Sequence, residues 1–146
     1  MMLRNLLIAF PATLVCLVIQ VLFAYWSVRY YVGHAAHAAQ GGTLASIKPL
    51  LVAMLLMMCG TIVQVTLWGL IFVLLGEFTE LYEAIYHSAV NFASLGYGDI
   101  VMHKEWKLLG PVEALCGVLM LGMSAAALMA ILQQMIRSQR DSLGPD

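Results

Sequence analysis

The stretch Ser94-Leu95-Gly96-Tyr97-Gly98-Asp99 lies between two long apolar runs and follows a short amphipathic one. Its chemistry is that of the backbone. Carbonyl oxygens replace the water around a dehydrated cation only when several successive peptide units point the same way, which takes residues that tolerate unusual φ and ψ values. Gly96 and Gly98 supply that tolerance at every second position, and Asp99 follows directly with a carboxylate. Side-chain chemistry is sparse elsewhere. No apolar run carries a paired acid and base, a metal cluster or a nucleophile motif, so the chain does not read as an enzyme. Cys16, Cys59 and Cys116 fall inside apolar runs and read as buried thiols packing as small hydrophobes, with no disulfide or metal framework. His34 and His37 are too few ligands for a metal site and read as a solvated helix end.

The elements that must position this stretch are membrane elements. At 62% hydrophobic and 10% charged residues over 146 positions, the chain is too apolar for a water-soluble domain and has no basic surface for nucleic acid. A bilayer core needs about 20 apolar residues to cross, and residues 6–28, 49–76 and 112–136 qualify, with Glu113 their one charged residue. The first segment, 1–32, ends in Tyr25, Trp26, Tyr30 and Tyr31 around Arg29, the pattern of an interfacial belt. A cleaved signal peptide, with Ala36-His37-Ala38 as its site, is a rival reading that the aromatic cluster opposes. Residues 33–48, with Gly41-Gly42, read as a linker before a helix that begins near Lys48-Pro49. Thr61, Gln64, Thr66 and Trp68 interrupt the second run and are expected to face protein and hydrogen-bond a neighbouring helix.

Residues 79–92 place apolar or aromatic side chains at 81, 82, 85, 86, 89 and 90, the recurrence of an amphipathic helix. Thr79 reads as its N-cap, with Glu80 and Glu83 in an acidic first turn. Such a helix is about 21 Å long, too short to span. It must enter the membrane and stop, and the non-helical backbone after it must line a pore or be buried in protein. The third run starts at Gly110-Pro111, with Glu113 near the helix N-terminus. Gly122, Ala126 and Ala130 recur every four residues, so Gly117 and Gly122 read as sites of close helix packing or of a gating hinge.

Helix, re-entrant helix, Gly96-Tyr97-Gly98-Asp99 strand and helix together resemble the pore module of potassium channels over about residues 50–136. Tyr97-Gly98-Asp99-Ile100-Val101, Glu105-Trp106-Lys107-Leu108-Leu109-Gly110 and Glu113-Ala114-Leu115 look like small bacterial members with an extra N-terminal helix. The resemblance implies an all-α membrane protein with a pore module over 49–138: outer helix 49–76, pore helix 79–92, filter 94–99 and inner helix 111–136, then a cytoplasmic tail, 139–146. It implies passive K⁺ conduction by a homotetramer in lipid, with the ion on Ser94, Leu95, Gly96, Tyr97 and Gly98, and no organic cofactor. Ser94 stands where the family has threonine, and Leu95, where it has valine or isoleucine, must find room behind the filter. Asp99, Tyr86 and Glu113 are the implied filter supports, and His87 stands at a bracing aromatic position as a structural histidine. The glutamate that many members carry in the pore helix is replaced by Val90, a role that Glu113 could partly take over, although a helix-terminal carboxylate at the outer interface explains it equally.

By the same resemblance the loop dips from the outer face of an inner (plasma) membrane, with the N-terminus outside, 33–48 inside and the C-terminus in the cytoplasm. Four basic residues inside against three outside support this only weakly. Residues 77–107 carry net −3, so four copies would gather −12 around one axis and raise the local cation concentration, unless the glutamates form only a solvated loop. Two further readings stand beside selective conduction: a weakly selective cation channel, and a non-conducting scaffold or accessory subunit of the same fold.

Overall fold

Four helices follow one another in the computed structural model: α1 (Met2–Gln40), α2 (Gly42–Leu74), α3 (Leu81–Phe92) and α4 (Leu109–Ser142), with no strand among the described residues. The backbone is described for residues 2–40 and 42–142, and side chains for 2–34, 47–138 and Arg140. Three stretches, Met2–His34, Ile47–Leu74 and Leu109–Ser138, are long and apolar enough to cross a membrane. Their outward faces carry large apolar side chains such as Leu7, Phe10, Val18, Met58, Ile62 and Leu115. In lipid that exposure has no hydrophobic cost, and the helical backbone satisfies its own polar groups.

The expected linker over 33–48 is mostly helix: α1 continues through it to Gln40 and α2 begins at Gly42, with residue 41 outside the described residues. Ala35, Ala36, Ala38 and Ala39 are the reason, since alanine is the strongest helix former. Pro49, expected near a helix start, lies inside α2. α4 begins two residues before Pro111, which leaves the proline in the first turn, where its missing N–H has no partner to lose. The tail expected from 139 stays helical to Ser142, and residues 143–146 lie outside the described residues.

The chain forms two compact units, and every residue of the expected filter and its expected supports falls in the first, Met1–Ile19 with Thr61–Leu121. Here Trp68, Phe72, Phe92, Leu109 and Met120 are fully buried. The buried thiols Cys16 and Cys116 lie in this unit, whereas Cys59 is exposed, against expectation: it stands on an outward face of α2, where lipid can cover it. In the second unit, Gln20–Gly60 with Gly122–Asp146, Tyr31, Ala53 and Ile131 form a core with Leu50, Leu128 and Met135 packed against it. Gln20 is fully buried there and donates from Nε2 to Ser124 Oγ at 2.7 Å, while Ser27 Oγ donates to the Ala53 carbonyl at 3.1 Å. Thr66 is half-buried and donates to the Ile62 carbonyl of its own helix at 2.8 Å, so this bond stays within α2 and does not bridge to a neighbour as expected. His34 is exposed, with Nδ1 2.9 Å from the Tyr30 carbonyl and its ring stacked on Tyr30; the side chain of His37 lies outside the described residues.

Candidate functional site

The twelve residues of α3 span about 18 Å at 1.5 Å per residue. The N-cap is Glu80, not Thr79: Glu80 has extended backbone (φ −106, ψ 129) and makes no side-chain cap bond, while Glu83 lies in the first turn. The buried face also differs from the apolar stripe. Leu81 and Tyr82 are exposed, and the buried residues are Ala84, His87, Ser88, Val90 and Phe92. In a membrane the polar face of a helix needs the protein interior and the apolar one does not, so a pattern that points inward in water points outward here.

At the C-terminal end of α3 the Ser94 N–H donates to the Asn91 carbonyl at 2.8 Å, and the Leu95 N–H donates to the Val90 carbonyl at 2.9 Å. These two bonds close a Schellman motif, whose turning residue takes a left-handed conformation that glycine usually fills. Ser94 takes it at φ 56, alone among the described non-glycine residues. Gly96 follows at φ 58 and Gly98 at φ 74. The sign of φ therefore alternates from 94 to 98, with Leu95 and Tyr97 between, and such alternation of hand is what turns successive peptide units to one side. The glycines mark two of these positions. The third, at Ser94, was traceable by counting back two residues from Gly96 onto the end of the helix.

The residues of the expected filter are held from behind and open in front. Leu95 is 57% and Tyr97 67% exposed in the single chain, so Leu95 does not lodge behind the strand as expected. Beside Gly96 and Gly98 lies a cleft of about 320 Å³, lined also by His87, Asn91, Met102 and Ala114 among others. Behind the strand, the Tyr86 hydroxyl donates to Asp99 Oδ2 at 2.8 Å. That bond holds the Asp99 carboxyl below its ordinary range and pushes the Tyr86 hydroxyl up. His87 packs against the rings of Phe72 and Phe78, at centroid separations of 5.8 and 5.2 Å. Burial holds its pKa down, partly opposed by the charges of Glu77 and Asp99.

Glu113 is fully buried against α3 and is not an exposed helix-end carboxylate. Its Oε2 accepts from Asn91 Nδ2 at 3.2 Å, and its Oε1 lies 2.5 Å from Ser88 Oγ. Ser88 Oγ is also 2.8 Å from the Val65 carbonyl oxygen of α2, and Asn91 Nδ2 is 2.9 Å from His87 Nε2. Gly117 is a packing site: a Cβ there would stand 2.0 Å from the Phe92 carbonyl oxygen. Gly69 likewise lets α2 lie against Ile85 of α3, whereas Gly122 has open space around it.

Two ties around the site escaped the sequence reading. Arg4 Nη2 forms an ion pair with Glu105 Oε2 at 2.9 Å, its guanidinium lies 4.1 Å from the centre of the Trp106 ring, and Asn5 Nδ2 donates to the Glu105 carbonyl at 2.9 Å. The start of α1 thereby fastens the loop between filter and α4. The Glu77 side chain is only 4% exposed, not solvated, and its Oε1 accepts the His103 N–H and lies 3.1 Å from His103 Nδ1. Each tie joins residues dozens of positions apart, and only complementary charge in the sequence hinted at either.

Residues 60–134, just over half of the chain, match the family described as Ion channel. The chain finds no match among curated proteins or among solved structures.

Proposed function

The chain belongs to the two-transmembrane ion-channel family matched over residues 60–134, and on that premise we propose that it conducts potassium selectively as a homotetramer. The observation that carries this reading is the alternating sign of φ through Ser94, Gly96 and Gly98, in the segment between α3 and α4. A backbone of that kind lets the carbonyls of Ser94, Leu95, Gly96 and Tyr97 stand in for the water around K⁺, as the filters of potassium channels do. One strand supplies one side of each ring, so four copies about an axis close it.

Positioning follows from the supports. The Tyr86–Asp99 bond pins the outer end of the strand, and the Schellman turn pins the inner end to α3. The carbonyl end of α3 carries partial negative charge, which favours a cation beside it at mid-membrane. The reading places residues 77–110 on the outer side of an inner (plasma) membrane, with the N-terminus outside and the C-terminus in the cytoplasm. The test is K⁺ and Na⁺ flux through purified protein in liposomes, with reversal potentials under opposed gradients. The expected result is a reversal potential that follows K⁺. Equal permeability, or no flux from confirmed tetramers, refutes it.

A further inference from the structure

We propose that Glu113 acts as a neutral carboxylic acid, whose proton closes a hydrogen-bond chain joining α4 to α3 and α2 and makes it a positioning residue for the filter. The inference rests on a count of protons and holds whichever ion passes. A serine hydroxyl has one hydrogen to donate. Ser88 Oγ stands 2.8 Å from the Val65 carbonyl oxygen, which can only accept, and 2.5 Å from Glu113 Oε1. Were Glu113 ionised, both neighbours of that hydroxyl would be acceptors, and one close oxygen–oxygen contact would have no hydrogen of its own.

A proton on Glu113 Oε1 resolves the count. The acid O–H then donates to Ser88 Oγ, and Ser88 donates to the Val65 carbonyl. Asn91 Nδ2 has two hydrogens, and its two neighbours, Glu113 Oε2 at 3.2 Å and His87 Nε2 at 2.9 Å, take one each. This last bond requires His87 to be neutral with its proton on Nδ1, in keeping with its burial among Phe72 and Phe78. Every hydrogen in the chain is then used once.

The surroundings agree. Glu113 is fully buried, and among the described residues no lysine or arginine pairs with it. The titratable groups that face it are Cys116 one turn along α4, Cys16 of α1 and, through Asn91, His87 of α3; α2 presents the Val65 carbonyl. None supplies a fixed positive charge. A lone carboxylate in such a place carries a desolvation cost that a neutral acid avoids.

Infrared spectroscopy of the reconstituted protein at neutral pH tests the assignment without requiring conduction. The expected result is a protonated-carboxyl C=O band that disappears in Glu113→Gln and persists in Glu83→Gln, a change at an exposed glutamate. Wild-type protein showing carboxylate bands alone, or a band that survives Glu113→Gln, overturns it. Glutamine can donate from its amide to Ser88 and accept from Asn91, so Glu113→Gln should match wild type in thermal stability while Glu113→Ala falls below both. The reverse order also overturns the assignment. The positioning role has its own readout: flux should be lost at alkaline pH, where the acid ionises, and the profile of Glu113→Gln should be flat there. Two superimposable profiles refute the role. A band in a protein that passes no K⁺ supports the neutral acid and removes the proposed conduction instead.

Discussion

Replacing Gly117 by alanine separates packing from hinging at the point where α4 meets the end of α3. A Cβ at 117 would stand 2.0 Å from the Phe92 carbonyl oxygen, 2.7 Å from its carbon and 2.9 Å from its Cα. All three are backbone atoms, so no side-chain rotation relieves the clash. Carbon and oxygen in contact need about 3.3 Å, so the two helices must part by more than ~1 Å. Phe92 is the last residue of α3, two before Ser94, and the displacement passes directly to the inner end of the filter. Overpacking of this kind costs about 1–3 kcal/mol, and the extent of overlap puts it at the upper end. The better helix propensity of alanine returns roughly 1 kcal/mol. The expected net loss is about 2 kcal/mol, or on the order of 30-fold in the folded-to-unfolded ratio. Denaturant unfolding in detergent micelles measures the loss, and K⁺ flux in liposomes should fall with it. Gly122→Ala is the comparator: its Cβ meets nothing within 4 Å in the chain, so its stability should equal or exceed that of wild type. A Gly117→Ala protein as stable as wild type, with unchanged flux, would show that the close approach does not constrain the site.

Gly98 has φ 74, where an alanine costs about 1–2 kcal/mol, so Gly98→Ala should abolish K⁺ flux while circular dichroism still reports the helices. Ser94→Gly should raise stability by about 1 kcal/mol, because glycine fills the left-handed Schellman position without strain; flux assays then report what the lost hydroxyl contributed. Tyr86→Phe releases the Asp99 carboxyl, which the tyrosine hydroxyl holds below its ordinary range. The native contribution of that carboxylate is complete above the ordinary value of about 3.9 and is lost as pH falls through the lower folded value. The variant should therefore lose conductance at a higher external pH than wild type on acidification, and it should already fall below wild type at neutral pH, where the contribution of the bond is complete. Ser124→Ala removes the acceptor for Gln20 Nε2 at 2.7 Å and should cost about 0.6–1.7 kcal/mol in unfolding, a typical range for a buried bond between helices in lipid.

The legible parts of this chain were those encoded by local pattern. Three apolar runs and a fourteen-residue amphipathic stretch between two of them announce three spans and a half-helix, because bilayer thickness sets the lengths. Gly96 and Gly98 mark the positive-φ positions of the proposed filter because few other residues take that backbone conformation. What could not be read depends on register between helices. Glu113 meets Ser88 and Asn91, 25 and 22 residues earlier, only because α3 and α4 cross at Gly117 and Phe92. Arg4 and Glu105 are 101 residues apart. The face of α3 is a separate case: its recurrence marks an amphipathic helix, but Leu81 and Tyr82 of the apolar stripe face outward, because apolar residues are driven inward only when the surroundings are water.

That inversion bears on the assembly. The polar face of α3 is fully engaged: Ser88 and Asn91 with Glu113, His87 with Asn91, and the last carbonyl against Gly117. The frame behind the filter is thus complete within one chain. In front, Leu95 and Tyr97 stand exposed between residues of positive φ, of which Ser94 alone lacks the freedom of glycine and is strained. Backbone strain of that kind persists only where surrounding structure over-determines it. Here the over-determination comes from behind, through the Schellman bonds and the contacts of α3 with α4, and under the proposed function the front face is left to ions and to other copies of the chain. A single chain built in this way can be folded and still functionally incomplete. The proposed tetramer accordingly predicts that contacts at Leu81 and Tyr82 set assembly, whereas Glu113 and Gly117 set the shape of what is assembled.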